Sequence, residues 1–309
     1  MPRETYFSPG KLLITSEYFV LDGATALAVP TILGQEMMVE TILDKKNLII
    51  WKAFHETKEW LYIKINAKNW EILESNIKTS AEFVLKVFKI INDLNPEKFL
   101  ENRSYIFETN LQFPANFGLG SSSTLMANLA NWANVNPFLL NENSLGGSGY
   151  DIAVAEQNSA ILFQKTEREN QVEKVEFNPP YLEDLILIHL NQKQNSREGI
   201  ELYRSKEKSE KLIQKFSSIS KSVLKCADIV EFSSLMESHE AELSRFLGLK
   251  TVKELHFPDC PVFVKSLGAW GGDFVLSRKF ENYKTYFQSK NFSTIFDWNE
   301  IVKTFSVCP

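Results

Sequence analysis

The chain has 309 residues, 44% hydrophobic and 24% charged, which suits a globular protein and excludes a wholly disordered, collagenous or coiled-coil chain. At about 150 residues per domain, the length fits roughly two domains. With 34 Lys and Arg against 39 Asp and Glu the net charge is −5, so non-specific nucleic-acid binding, which needs a strong basic patch, is not expected. Small anionic substrates stay compatible, because they respond to the local field of a cleft rather than to total charge.

The first part of the chain reads as strands. Lys11–Thr15 is a short apolar run after Pro9-Gly10, and Thr25–Val29 is a second, with Gly23 turning the chain between them. Met37–Leu43, Leu48–Phe54 and Trp60–Ile65 continue the pattern. The period then changes: Phe83, Val84, Val87, Phe88 and Ile91 share one helical face, with Thr79 or Ser80 expected as the cap and Pro96 as the stop. Tyr105–Phe113 is expected to be a strand, Leu125–Ala133 a helix, Asp151–Ala155 the start of another helix and Ala160–Gln164 a strand. A polar stretch over 166–180, ending in Pro179-Pro180, marks the expected boundary, giving lobes 1–175 and 176–309. Leu185–Leu190 has the unbroken apolar run of a buried strand. Residues 197–247 read as largely helical, stopped by Gly248, and Val262–Val264 and Phe274–Leu276 as two strands around a glycine turn. Strands and helices are mixed without regular alternation, so the class is α+β.

Cys226, Cys260 and Cys308 form neither a close pair nor a metal-ligand spacing, and the four His residues are scattered, so neither a disulfide framework nor a zinc site is expected. Met1–Thr5 lacks the basic-then-apolar plan of a signal peptide, and no apolar run reaches the ~20 residues of a membrane helix. A cytoplasmic protein with no membrane partner is the expectation.

Three glycine-rich segments could carry chemistry. Pro114 through Gly118-Leu119-Gly120-Ser121-Ser122-Ser123 follows a strand and opens a helix. Its glycines would let backbone approach a ligand, and amides at a helix start bind anions. The same residues fit a glycine turn with a serine cap equally well, and no Gly-Lys-Ser/Thr ending makes the segment a Walker A loop. Gly146-Gly147-Ser148-Gly149-Tyr150-Asp151 puts a carboxylate at a helix start, either as a first-turn charge or as a general base. Lys265 to Phe274 holds Gly268, Gly271 and Gly272, which fit a hairpin bend or a close approach to a ligand.

In order and spacing, these segments, with Pro9-Gly10-Lys11 through Glu17-Tyr18 and Gly23-Ala24 to Ala28, resemble the four motifs of the GHMP kinase superfamily. That superfamily includes galactokinases, homoserine kinases, mevalonate kinases and phosphomevalonate kinases. Glu17-Tyr18, Ser148-Gly149-Tyr150-Asp151-Ile152-Ala153 and Gly271-Gly272-Asp273 are most similar to phosphomevalonate kinases, and less so to diphosphomevalonate decarboxylases. A mevalonate kinase or a GHMP kinase of another acceptor is the competing assignment, and a nucleotide-binding homologue without catalysis a further one.

The resemblance implies a two-lobed α+β fold, the N-terminal lobe like ribosomal protein S5 domain 2 and the C-terminal lobe ferredoxin-like. It implies ATP and Mg²⁺ as cofactors, a small anionic acceptor such as 5-phosphomevalonate, and a monomer or homodimer. It assigns catalysis to Asp151 and Lys11 and nucleotide binding to Pro114 and Gly118–Ser123. It assigns acceptor contacts to Glu17, Tyr18, Ser148, Gly149, Tyr150, Ser196, Arg197, Gly268, Ala269, Gly271 and Gly272, and metal to Ser122 and Glu142. Three residues depart from the family pattern: Trp270 stands where glycine is usual, Phe274 replaces a small residue, and Glu142 is the sole acidic residue between Ser122 and Asp151.

Overall fold

The computed structural model describes residues 3–55, 57–191, 196–268 and 270–304, with backbone alone for Ser196 and Arg197. Its contacts form two compact units that interleave along the chain. The first takes residues 1–10, 33–115 and 120–156, and the second takes 11–32, 116–119 and 157–309. This differs from a single boundary within 166–180. The reason is pairing: residues 26–28 of an N-terminal strand bind a strand from beyond residue 160, drawing both segments into one unit.

In the first unit, β1 (Arg3–Leu13) and β2 (Ala26–Leu43) pair, and both strands run on into the second unit. β3 (Leu48–His55), β4 (Lys58–Asn66) and β5 (Glu71–Ser75) lead to α1 (Lys78–Leu94), and β6 (Arg103–Leu111) follows. The sheet order is β5-β4-β3-β6-β2, parallel between β3 and β6 and antiparallel elsewhere. Three further helices complete the unit: α2 (Ser121–Ala133), α3 (Pro137–Ser144) and α4 (Tyr150–Gln157).

Alternation explains which face is covered. Ile49, Trp51 and Ala53 of β3, and Leu61, Ile63 and Ile65 of β4, are all buried and all lie two apart. They meet Val84, Val87, Phe88 and Ile91 of α1 and Met126, Leu129 and Trp132 of α2. Rings of Trp51, Phe88, Phe107 and Trp132 interlock at centroid distances of 4.7–6.5 Å.

Several elements differ from expectation. The runs at 25–29 and 37–43 are one strand, because Pro30 falls between the ladder to β7, over Ala26–Ala28, and the ladder to β6, over Gln35–Leu43. Its missing N–H costs neither ladder a bond. β1 likewise runs straight through Pro9-Gly10. Neither Thr79 nor Ser80 caps α1: both lie inside its first turn, and Ile77 stands at the N-cap without a side-chain bond. The unforeseen α3 starts where the Asn136 side chain accepts from the N–H groups of Phe138 and Leu139, with Pro137 at the first position.

In the second unit, β7 (Ile161–Gln164) pairs with β2, and β8 (Gln171–Lys174) pairs with β7. The buried β9 (Leu185–His189) sits inside a second sheet. Then come α5 (Ser196–Arg204), α6 (Glu210–Lys225), α7 (Ile229–Leu247), which ends at a left-handed Gly248, and α8 (Val252–His256). β10 (Val264–Leu267) and β11 (Phe274–Arg278) pair antiparallel around the expected turn. α9 (Tyr283–Ser289), β12 (Ile295–Asp297) and α10 (Trp298–Ile301) follow. The order β10-β11-β9-β12 is antiparallel throughout. Among the described residues no helix is long and apolar enough to cross a membrane.

Gly34 is tested by its surroundings. A Cβ there would run into the Ser8 carbonyl oxygen and lie 2.6 Å from the Phe7 ring. Gly34→Ala should destabilise the protein by about 1–3 kcal/mol, read from urea unfolding midpoints; an unchanged midpoint would show that β1 and β2 are not packed this closely.

Candidate active-site elements

In the first unit the glycine-serine segment opens α2. Gly120 takes the N-cap position at φ 87°, a left-handed value that favours glycine, and no side chain caps the helix. The amides of the first turn are thus not claimed by a side-chain cap, and the helix dipole adds positive potential there. The serines divide. Ser122 is exposed and Ser121 half-buried, but Ser123 is buried and donates its hydroxyl to the Gly120 carbonyl at 2.8 Å. Ser123 thus offers its hydroxyl to the chain rather than to a ligand. Leu119 is likewise buried and Pro114 half-buried, so Leu119 can serve a ligand only through its backbone.

A buried polar network fixes α2. The Asn128 amide donates to the Gln35 carbonyl at 2.8 Å and its oxygen accepts from Ser8 Oγ at 2.9 Å. Thr124 Oγ1 donates to Gln35 Oε1 at 2.8 Å. Each buried polar atom is answered, so the network rigidifies the helix rather than weakening it.

Asp151 lies in the first turn of α4, half-buried, with the Ile152 N–H donating to its Oδ1 at 3.1 Å. Before it Gly146, Gly147 and Gly149 take φ values of 74°, 103° and 90°. Nothing lies within 4 Å of a Cβ at 146 or 147, so these glycines serve conformation, not space. Ser148 and Gly149 are buried and Tyr150 is half-buried. Glu142 stands exposed on α3. No group of three His, Cys, Asp or Glu side chains able to hold a metal exists among the described residues. A Mg²⁺ ion that keeps several waters needs few protein ligands, so the exposed Ser122 hydroxyl fits one, and Glu142 belongs to no such group of three among the described residues.

In the second unit Lys11 holds the front of the same loop. Its N–H donates to the Leu119 carbonyl and its Nζ to the Gly118 carbonyl, both at 2.9 Å. Gly118 has φ 66°, and a Cβ on it would lie on the Asp273 carboxylate. Gly268 and Gly271, at φ 77° and 74°, are half-buried, and Gly272 is buried. Ala269 lies outside the described residues. Ser196 and Arg197 open α5, and their side chains lie outside the description.

Glu17 is an internal group and not a substrate-facing one. It is buried and ion-paired to the wholly buried Lys265 of β10. His239 Nε2 accepts the Ser16 N–H at 2.8 Å, which places the ring proton on Nδ1. The 3.1 Å approach of that nitrogen to Glu17 Oε2 is then no hydrogen bond, in keeping with an Oε2 that has no donor. Burial, the largest single influence, would raise the Glu17 carboxyl, but Lys265 and His239 together outweigh it and hold the group below its ordinary value. Burial, with Lys265 nearby, lowers His239 and keeps it neutral. Glu240, next on α7, is pushed up to about 8 by burial, against the pull of Lys265. At neutral pH the cluster is therefore one ion pair and two uncharged side chains.

Tyr18 is a hub. Its Oη accepts the Trp270 N–H at 2.7 Å, its ring stacks on Tyr203 at 5.8 Å, and its hydroxyl fills the space where Gly199 would carry a Cβ. The Trp270 indole N–H donates to the Lys250 carbonyl at 3.2 Å. The departure at 270 is thus a strut. Lys265 and His239 are given no role by the sequence, and Asp273 enters there only as part of the resemblance; a lysine inside the apolar Val262–Leu267 run was the available signal.

No family model and no curated protein matches the sequence. Solved structures do match. Methanococcus jannaschii mevalonate kinase superposes with a TM-score of 0.69 at 15% identity, covering 99% of each chain. Streptococcus pneumoniae phosphomevalonate kinase, in complex with phosphomevalonate and AMPPNP, gives 0.67 at 15% identity, again over 99% of each chain. Lactococcus lactis galactokinase complexed with galactose gives 0.64 at 13% identity, over 93% of this chain and 88% of that one. The α+β fold is the GHMP kinase fold.

Two outcomes follow from the second unit. Because folding holds Glu240 neutral, the stability tied to that proton is complete below its ordinary pKa of about 4.3 and is lost as pH rises to about 8. Glu240→Gln should therefore gain melting temperature over the parent progressively from pH 4 to pH 8 and level off above; a pH-independent difference would refute the burial of that charge. Gly199→Ala should lower stability by about 1–3 kcal/mol, with Tyr18→Phe restoring part; additive losses would show that the hydroxyl does not abut α5.

Proposed function

We propose that the chain is an ATP- and Mg²⁺-dependent small-molecule kinase, with 5-phosphomevalonate as its acceptor. The observation that carries the reading is the start of α2: a left-handed Gly120, first-turn amides without a side-chain cap and an exposed Ser122, on a fold shared with a kinase solved with AMPPNP. Such a helix start is suited to phosphate oxygens. The acceptor assignment is supported by the resemblance of Ser148–Ala153 and Gly271-Gly272-Asp273 to phosphomevalonate kinases.

Phosphoryl transfer asks a protein for positioning and charge neutralisation more than for covalent help. In this reading the amides of Gly118–Ser122 bind the nucleotide phosphates, and Lys11, fixed on the Gly118 carbonyl, adds positive charge. Ser122 would hold the metal, which when bound neutralises phosphate charge. Asp151 orients the acceptor oxygen. A phosphate monoester has its second pKa near ~6, so at neutral pH little proton removal is needed and orientation is the larger task. Arg197 would meet the acceptor phosphate through its two-pronged guanidinium.

A coupled ADP-release assay with mevalonate, 5-phosphomevalonate, homoserine and a sugar panel should show turnover with 5-phosphomevalonate. Turnover with mevalonate alone would replace the acceptor, and tight AMPPNP binding without turnover on any acceptor would establish the non-catalytic alternative. Asp151→Asn should lower kcat by about 100-fold or more with an unchanged melting temperature. Near-normal turnover would remove Asp151 from the mechanism.

A further inference from the structure

We propose that Asp273 is a positioning residue for nucleotide binding, acting through Gly118; this deepens the kinase reading and rests on it. Segment 116–119 is gripped at each of its residues. The two Lys11 donors hold the carbonyls of Leu119 and Gly118. The Phe117 ring packs on His189, Phe274 and Phe296 at 4.7, 5.2 and 6.1 Å. His189 Nε2 lies 3.4 Å from the Asn116 carbonyl. The Asp273 carboxylate closes against Gly118 so tightly that a Cβ there would lie on Oδ2 and 2.5 Å from Cγ.

Asp273 can act as a fixed stop because it is itself fixed. Its carbonyl accepts the Leu190 N–H at 2.9 Å, and the next residue, Phe274, begins β11 in register with His189. Gly118 is where the contact matters. Its φ of 66° directs the amides that follow, and a glycine left alone would sample many other conformations. A carboxylate against one side of this residue and an ammonium on its carbonyl hold it to one of them. The amides are then aimed before an anion arrives, which lowers the ordering cost of binding. Charge alone would argue against a carboxylate beside an anion loop. The value of Asp273 is therefore its shape and fit, and the Lys11 ammonium on the same residue offsets its charge.

This separates shape from charge in a measurable way. AMPPNP binding by calorimetry and steady-state kinetics would be compared for the parent, Asp273→Ala, Asp273→Asn, Gly118→Ala and the Gly118→Ala/Asp273→Ala double variant. Asp273→Ala should weaken AMPPNP and raise the KM for ATP about tenfold, with kcat at saturating ATP changed much less. Asp273→Asn, which keeps the shape, should recover most of that loss. Gly118→Ala should be severe alone and milder with Asp273→Ala, since the truncated side chain makes room for the methyl group. A parent that binds no AMPPNP would end the kinase reading and this proposal with it. A parent that binds, with an unchanged Kd in Asp273→Ala, would overturn the positioning role alone. A lowered melting temperature without a nucleotide effect, or an Asn variant as impaired as Ala, would overturn it too.

Discussion

The second unit is organised around an ion pair that sees no water. Glu17 and Lys265 come from segments far apart in the chain, and each is buried. Removing two charges from solvent is costly, and only close pairing with further hydrogen bonds offsets it. Lys265 meets this by donating also to the Ser266 carbonyl at 2.8 Å. The second carboxyl, Glu240, could not be tolerated as a further anion, and burial keeps it protonated. A buried pair of this kind adds little net stability over an apolar core, but losing one partner costs about 3–5 kcal/mol. It therefore specifies which segments meet more than how strongly they do.

That specification holds a backbone few residues would adopt unaided. Ser16 and Tyr18 have φ values of 65° and 61°, and the Phe19 N–H returns to the Glu17 carbonyl at 2.7 Å, making a γ-turn with positive φ at Tyr18. Such conformations cost about 1–3 kcal/mol each and persist where their surroundings over-determine them. Here the surroundings are named groups: His239 takes the Ser16 amide, Lys265 takes the Glu17 carboxylate, and Trp270 with Tyr203 takes the Tyr18 side chain. Strain and ion pair meet in one of the segments that the resemblance assigns to acceptor contacts.

Patterns that depend on neighbours in sequence were readable, and those that depend on partners far away were not. The helical face of Val84, Val87, Phe88 and Ile91 and the apolar run of β9 follow from local periodicity, and both are buried. The left-handed Gly118, Gly120 and Gly149 follow from glycine spacing. Ser123 and Glu17 escaped, because nothing local shows that one hydroxyl turns back to a carbonyl or that one carboxylate finds a lysine in a distant strand. The fusion of two apolar runs into β2 escaped for the same reason: Pro30 is harmless only where neither flanking ladder needs its amide. Even the interleaving of the units is a matter of remote pairing.

The distance between Glu17 and Lys265 along the chain, 248 residues, bears on how the protein is made. At a synthesis rate of about 5–20 residues per second, the glutamate emerges roughly 12 to 50 seconds before its lysine exists. During that interval segment 11–32 has no Lys265 to pair with its carboxylate. Segment 33–156, by contrast, holds most of its own unit and can begin to fold as it leaves the ribosome. The ion pair thus sets an order of assembly in which a segment made long before its partner waits for it before being secured.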